Sequence, residues 1–431
     1  MSVFQQIPAM LRMTMVFVLI LFIIRKRISL GNAFFLGALF LSLLFGLGPG
    51  AMLGSMVASI VYPKTLALTV IVTLILILSN SMETTGQMQR LLGKFQGLIS
   101  SPRLNLFVFP ALIGLLPMPG GAIFSAPMVK ELGTRSKLSG NQLSYINYWF
   151  RHIWEYWWPI YPGVLLATLM ADINLMIFVV FMSPLTVIAV FFGWLPLKNL
   201  AQLEKKKNND KRPPAWPFIK ELVPILIVII PGLCMGMVIS LAFPSNAIAK
   251  ETGLILSLFM AIGWIWYDNH LPWDQAWKIL KDPQLIKMGY MVMSILIFKG
   301  VLGDSRAVEA ISNELTLLHV PIVFIAIILP FTVGLFTGIT IAFVGSTFPI
   351  LITLIHSVGE TPFMQAYVML ALVSGFSGVL LSPLHLCLLL SNEYFETTLK
   401  PVYRYLWLPC TGLLFSSIAY FWILHGLCRW I

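Results

Sequence analysis

Apolar runs of about 20 residues, each long enough to cross ~30 Å of hydrocarbon, recur along the whole chain. Nothing else constrains the fold as tightly. The expectation is an all-α polytopic membrane protein. Composition agrees: 58% of residues are hydrophobic and only 10% charged, where a soluble domain carries roughly 25% charged residues. No polar stretch is long enough to form a separate soluble domain.

The runs predict ten spanning helices near 4–24, 29–48, 64–80, 141–171, 174–195, 217–242, 251–267, 287–302, 362–392 and 403–425. Two further apolar segments, 103–133 and 319–357, are interrupted in the middle. Their breaks read PMPGGAIFSAP (Pro117 to Pro127) and FTGITIAFVGSTFP (Phe336 to Pro349). Each is expected to be a re-entrant hairpin, since unwound backbone at membrane depth is tolerated only against protein or a water-filled cavity. Arg12 precedes the first apolar core and Arg25-Lys26-Arg27 follow it, a pattern that fits a retained first helix better than a cleaved leader.

The formal charge of +11 does not point to nucleic acid, because the lysines and arginines sit in short loops rather than along one stripe. Treating both hairpins as re-entrant puts 21 of the 28 on one side of the membrane and six on the other, with Arg151 inside a span. That bias makes the first side cytoplasmic and puts both termini outside, in a cytoplasmic (inner) membrane. The basic stretch 198–216 is the one clear linker. It divides the chain into 1–197 and 217–431, and each half runs through the same features: a span, an amphipathic stretch (Met82–Ser100, Gly303–His319), a broken hairpin, a span interrupted by proline and a final span. Five spans per half is an odd number, so the repeats must be inverted. Aligning the hairpins pairs Pro159 with Pro383 and sets Tyr161 against His385.

The fourth span holds an unusual cluster, Asn147 to Pro162, containing Arg151, His152, Glu155 and Tyr161. Arg151 lies ten residues into the span, ~15 Å of helix rise, where a charge costs at least ~2.5 kcal/mol and should face the bundle interior. Arg151 and Glu155 are four apart and are expected to pair on one helical face. Such a pair either locks the helix or positions Arg151 to bind an anionic group. His152 is a packing residue or a protonation site. A metal role would need a second His/Cys pair, and the four cysteines show no ligand spacing, so no metal site and no cofactor are expected. At the hairpin tips, Gly120 and Gly121 let a ligand approach the backbone, and Ser125, Thr337, Thr340, Ser346 and Thr347 offer hydroxyls. Half-helices starting there direct free N–H groups and partial positive charge inward. The same small residues also allow tight helix packing. Trp149, Trp154, Trp157 and Trp158 lie too deep for an interfacial belt and are read as packing around the site.

The motifs PMPGGAIFSAPM, NYWFRHIWEYWWPIYPG and LLSPLHLCLLLSNEYF resemble a prokaryotic branch of the ion transporter superfamily, domain-of-unknown-function family 401. That superfamily includes sodium- or proton-coupled carriers of dicarboxylates, citrate and gluconate. The resemblance covers about Thr65 to Phe421 and implies two elevator-type transport domains in a homodimer. The hairpins here read GGAIFS and TGITIAFVGST in place of the Ser-Asn-Thr tips of the dicarboxylate carriers, so those sodium and carboxylate sites do not transfer. The leading expectation is a secondary active carrier of a small anionic organic solute, coupled to H+ or Na+, with membrane lipid as its surroundings. A cation/proton antiporter using Glu155 and His152 is the alternative. An intramembrane enzyme would have only His152, Glu155 and His385 to work with. No P-loop motif supports an ATP-driven pump.

Overall fold

The computed structural model describes residues 6–427 except 27, 100, 119, 136–137, 198–212, 244, 247 and 319; most of the 198–216 linker lies outside the described residues. Among them the chain is all helical, with no strand. Eight helices among the described residues are long and apolar enough to cross a membrane, Thr340–Ser357 of the second expected hairpin among them. The protein is therefore a multi-pass membrane protein. Burial differs widely between the helices: the Thr361–Leu380 window is 89% buried, whereas Leu175–Leu197 is only 22% buried. Val180, Val187 and Phe191 on the latter are exposed, a surface that lipid must cover.

Both interrupted spans are interrupted where expected. Ser139 caps the first half-helix, Gly140–Arg151, with a capping box to Gln142, and the second, Pro162–Met170, opens with proline at its first position. Between them the chain runs in turns from His152 to Tyr161, because Pro159 and Pro162 supply no N–H to continue the ladder. In the other half, Met364–Leu380 gives way to Leu386–Tyr394 around Pro383.

The hairpins are likewise broken, but over shorter segments than expected. Helices Pro102–Ile113 and Ala122–Arg135 flank the first break, and Ile322–Thr337 and Thr340–Ser357 flank the second, at Gly338-Ile339. Within each hairpin the two arms pack together. Ser125, Ser346 and Thr347 are therefore helical residues and not part of an unwound tip. Small residues alone do not unwind a helix; the positive φ of Gly120 and Gly338 marks where the backbone turns. Two helices were not expected: Pro49–Val61 and Trp273–Leu280. The first is 13 residues long, too short to read as a span, and the second is short and amphipathic.

With these two included, the second half retraces the helix order of the first, and the contacts between halves are reciprocal. Pro63–Thr84 packs on Ala249–Asp268, while its counterpart Pro283–Asp304 packs on Leu30–Phe45. Gln87–Phe95 packs on Trp216–Ala242, while Ala307–Leu317 packs on Ala9–Arg25. Ala122–Arg135 packs on Leu386–Tyr394, while Thr340–Ser357 packs on Pro162–Met170. Each hairpin thus lies against the broken helix of the other half, bringing four interruptions to one place.

Candidate functional site

The N-cap residue of each second half-helix ties its break to the hairpin of its own half. Tyr161 donates from its hydroxyl to the Gly114 carbonyl (2.7 Å), and His385 Nδ1 lies 2.8 Å from the Gly338 carbonyl. Gly114 and Gly338 each cap the first arm of their hairpin. The alignment of Tyr161 with His385 thus corresponds to one bond made twice by different side chains. It satisfies a buried carbonyl that the helix end leaves free.

Arg151 is the last residue of its half-helix and is 2% exposed. Its Nη2 donates to the Met118 carbonyl in the first hairpin break (2.7 Å), and Nη1 lies 3.3 Å from His152 Nε2. Its Nε is buried without a hydrogen-bond partner. Gly121 explains how the guanidinium fits: a Cβ there would stand 2.5 Å from Nη2 and 3.0 Å from Nε. At Gly114 a Cβ would stand 2.0 Å from the Arg151 carbonyl oxygen. Both glycines are needed for close approach of this hairpin to the broken helix.

The expected Arg151–Glu155 pair is not formed. The helix ends at Arg151, so the four-residue spacing no longer places both side chains on one face. Glu155 instead accepts a 2.6 Å hydrogen bond from Thr340 at the start of the second hairpin's return arm, and its other oxygen lies 3.7 Å from His152 Nε2. Gly163 lets Thr340 sit this close, since a Cβ there would meet Thr340 Cγ2 at 2.6 Å.

The remaining candidates divide. Ser125 donates to Asn147 Oδ1 (2.6 Å), and Asn147 Nδ2 bonds the Ala122 carbonyl and Ser391 Oγ, both at 2.9 Å. This buried network links the first hairpin to both broken helices, and Asn147 and Ser391 were not singled out from sequence. Ser144 adds a 2.6 Å bond to Asn392. Thr337, Ser346 and Thr347 bond back to carbonyls of their own helix and offer the site little. Gly120 faces Leu390. Trp149 and Trp154 pack as expected, their indole N–H groups bonded to Ala189 and Ala111 carbonyls.

His152 and His385 meet at the centre, with Nε2 atoms 3.1 Å apart, and Cys387 joins them. Cys387 is one of the four cysteines whose spacing shows no ligand pattern; the only trace of its place here in the sequence is that it follows His385 by two residues in PLHLC. The space beside His152, lined by Trp149, Ile153, Tyr156 and Phe376, is too narrow for a water molecule. The site is closed. No curated protein matches the chain. A family model does match it, over residues 9–423, and the chain belongs to that family, described as a protein of unknown function (DUF401).

Proposed function

We propose that this chain is a secondary active transporter of a small anionic organic solute, driven by a proton or sodium gradient across the cytoplasmic membrane. One observation carries the reading: a guanidinium, 2% exposed, lies where hairpin and helix breaks converge, with its Nε–H unpaired. A permanent charge in that position is costly unless it has a partner, and Glu155 is not that partner. The Nε–Nη2 edge presents the two parallel N–H bonds that a carboxylate accepts. That same edge is covered by Met118 and Gly121 of the hairpin break. Lifting the break would free it, so the first hairpin acts as the gate of a closed state.

Arm lengths support re-entrance of the first hairpin, whereas Thr340–Ser357 of the second is itself long enough to cross. The 12- and 14-residue arms of the first hairpin reach only ~18 and ~21 Å, short of the ~30 Å core. The reciprocal packing of the halves fits inverted repeats and an elevator-type movement of hairpins and broken helices together. The exposed apolar helices leave room for lipid and for a second copy in a homodimer.

Uptake of labelled mono- and dicarboxylates into proteoliposomes, with an imposed pH or sodium gradient, tests the reading. Gradient-dependent accumulation of one of them is expected. Correctly inserted protein that accumulates none under either gradient would refute it.

A further inference from the structure

The two central histidines have their tautomers set by backbone carbonyls. His152 Nδ1 lies 2.6 Å from the Tyr148 carbonyl oxygen, and His385 Nδ1 lies 2.8 Å from that of Gly338. A carbonyl only accepts, so each Nδ1 carries a hydrogen and each Nε2 is left with its lone pair. These two Nε2 atoms stand 3.1 Å apart. Two lone pairs this close repel unless a proton or a metal ion lies between them. Cys387 completes the set: one ligand atom from each of His152, His385 and Cys387 lies within 4.8 Å of the others, and all three residues are buried. Glu155 brings a carboxylate oxygen to 3.7 Å from His152 Nε2.

We propose that His152, His385 and Cys387, with the Glu155 carboxylate beside them, form a binding site for one zinc-class divalent cation. Tetrahedral bonds of about 2.0–2.3 Å to nitrogen and sulfur put ligand atoms roughly 3.3–3.8 Å apart, which small side-chain shifts reach from the distances here. Imidazole and thiolate favour zinc or its neighbours over magnesium or calcium. The bond from each Nδ1–H to a carbonyl is the outer contact that orients metal-binding histidines. Binding removes the thiol proton to solvent, and thiolate plus carboxylate offset the divalent charge. The competitor is Arg151, whose Nη1 lies 3.3 Å from His152 Nε2. Its guanidinium stays anchored by the Met118 carbonyl when the metal takes that lone pair. His152 and Glu155 come from the break in the first broken helix, His385 and Cys387 from the start of the half-helix that follows the second break. The ion would therefore clasp the two halves at their breaks. This site stands whether or not the chain carries an anion.

Titrating the purified full chain in detergent with Co2+ tests it. The expected result is one Co2+ per chain with thiolate-to-cobalt charge-transfer absorption, reversed by Zn2+. Cys387→Ser abolishes that absorption, and Cys410→Ser, at a buried thiol outside the cluster, retains it. Monodisperse unsubstituted protein that shows no such absorption would overturn the site and leave the two histidines sharing a proton. Absorption that persists in Cys387→Ser would overturn it as well. The unsubstituted reading needs no variant to fold, and failure of anion uptake leaves it unaffected.

Discussion

Arg151 and Gly121 act together, because the guanidinium occupies the volume that a Cβ on residue 121 would need. Gly121→Ala should displace the guanidinium and reduce uptake by tenfold or more, on the order of 1.4 kcal/mol of binding. Gly54→Ala, which meets nothing within 4 Å, should leave uptake unchanged. Parallel uptake assays on both variants, normalised to inserted protein, check this; equal rates would remove Gly121 from the site. Arg151→Lys keeps the charge but not the two-pronged donor edge. It should insert normally and weaken solute binding by about tenfold to a hundredfold, the range expected for one charged hydrogen bond. Binding within a factor of two of the parent would shift the anion site to the hairpin N–H groups.

At the scale of elements, each broken helix is fastened to a hairpin through one N-cap side chain. Tyr161→Phe removes the donor to Gly114 and leaves a buried carbonyl unsatisfied, at a cost of about 1–3 kcal/mol. Thermal unfolding in detergent should show a lowered midpoint, and an unchanged one would mean that the break holds itself. The C-terminal end of the first broken helix is also tied outside the core. Asp172, just past Pro162–Met170, bonds Lys64 at 2.6 Å, and this hydrogen bond holds the Asp172 carboxyl below its ordinary value. A carboxyl depressed on folding stabilises above its unfolded pKa and loses that stabilisation as pH falls through its folded value. The side chain is 84% exposed, so solvent screening makes the contribution small.

For the whole molecule, the charge bias makes a topological prediction independent of the site. Cysteines introduced at positions 208 and 313, compared with the unsubstituted chain as blank, should label differently with an impermeant reagent on intact cells. Position 313 should react and position 208 should not; the reverse would invert the orientation. The reciprocal packing of the halves adds a consequence. Pro63–Thr84 and Pro283–Asp304 each lean on a helix from the opposite half, so neither half has a complete interior alone.

The apolar helices, the two broken helices and the breaks near Gly120 and Gly338 were legible because each rests on local signals. Apolar length measures against bilayer thickness, and proline or glycine interrupts a helix wherever it falls. The prominence of Arg151 was legible for the same reason, as a charge in an apolar run. Its partners were not. The four-residue spacing to Glu155 assumed a helix that the chain ends at Arg151 itself, and Glu155 turned to Thr340, 185 residues away. His152 meets His385 across 233 residues, a contact made only when one half packs against the other. Sequence spacing reports neighbours along one helix; which side chains share a buried centre was decided by the fold of the two halves around their breaks.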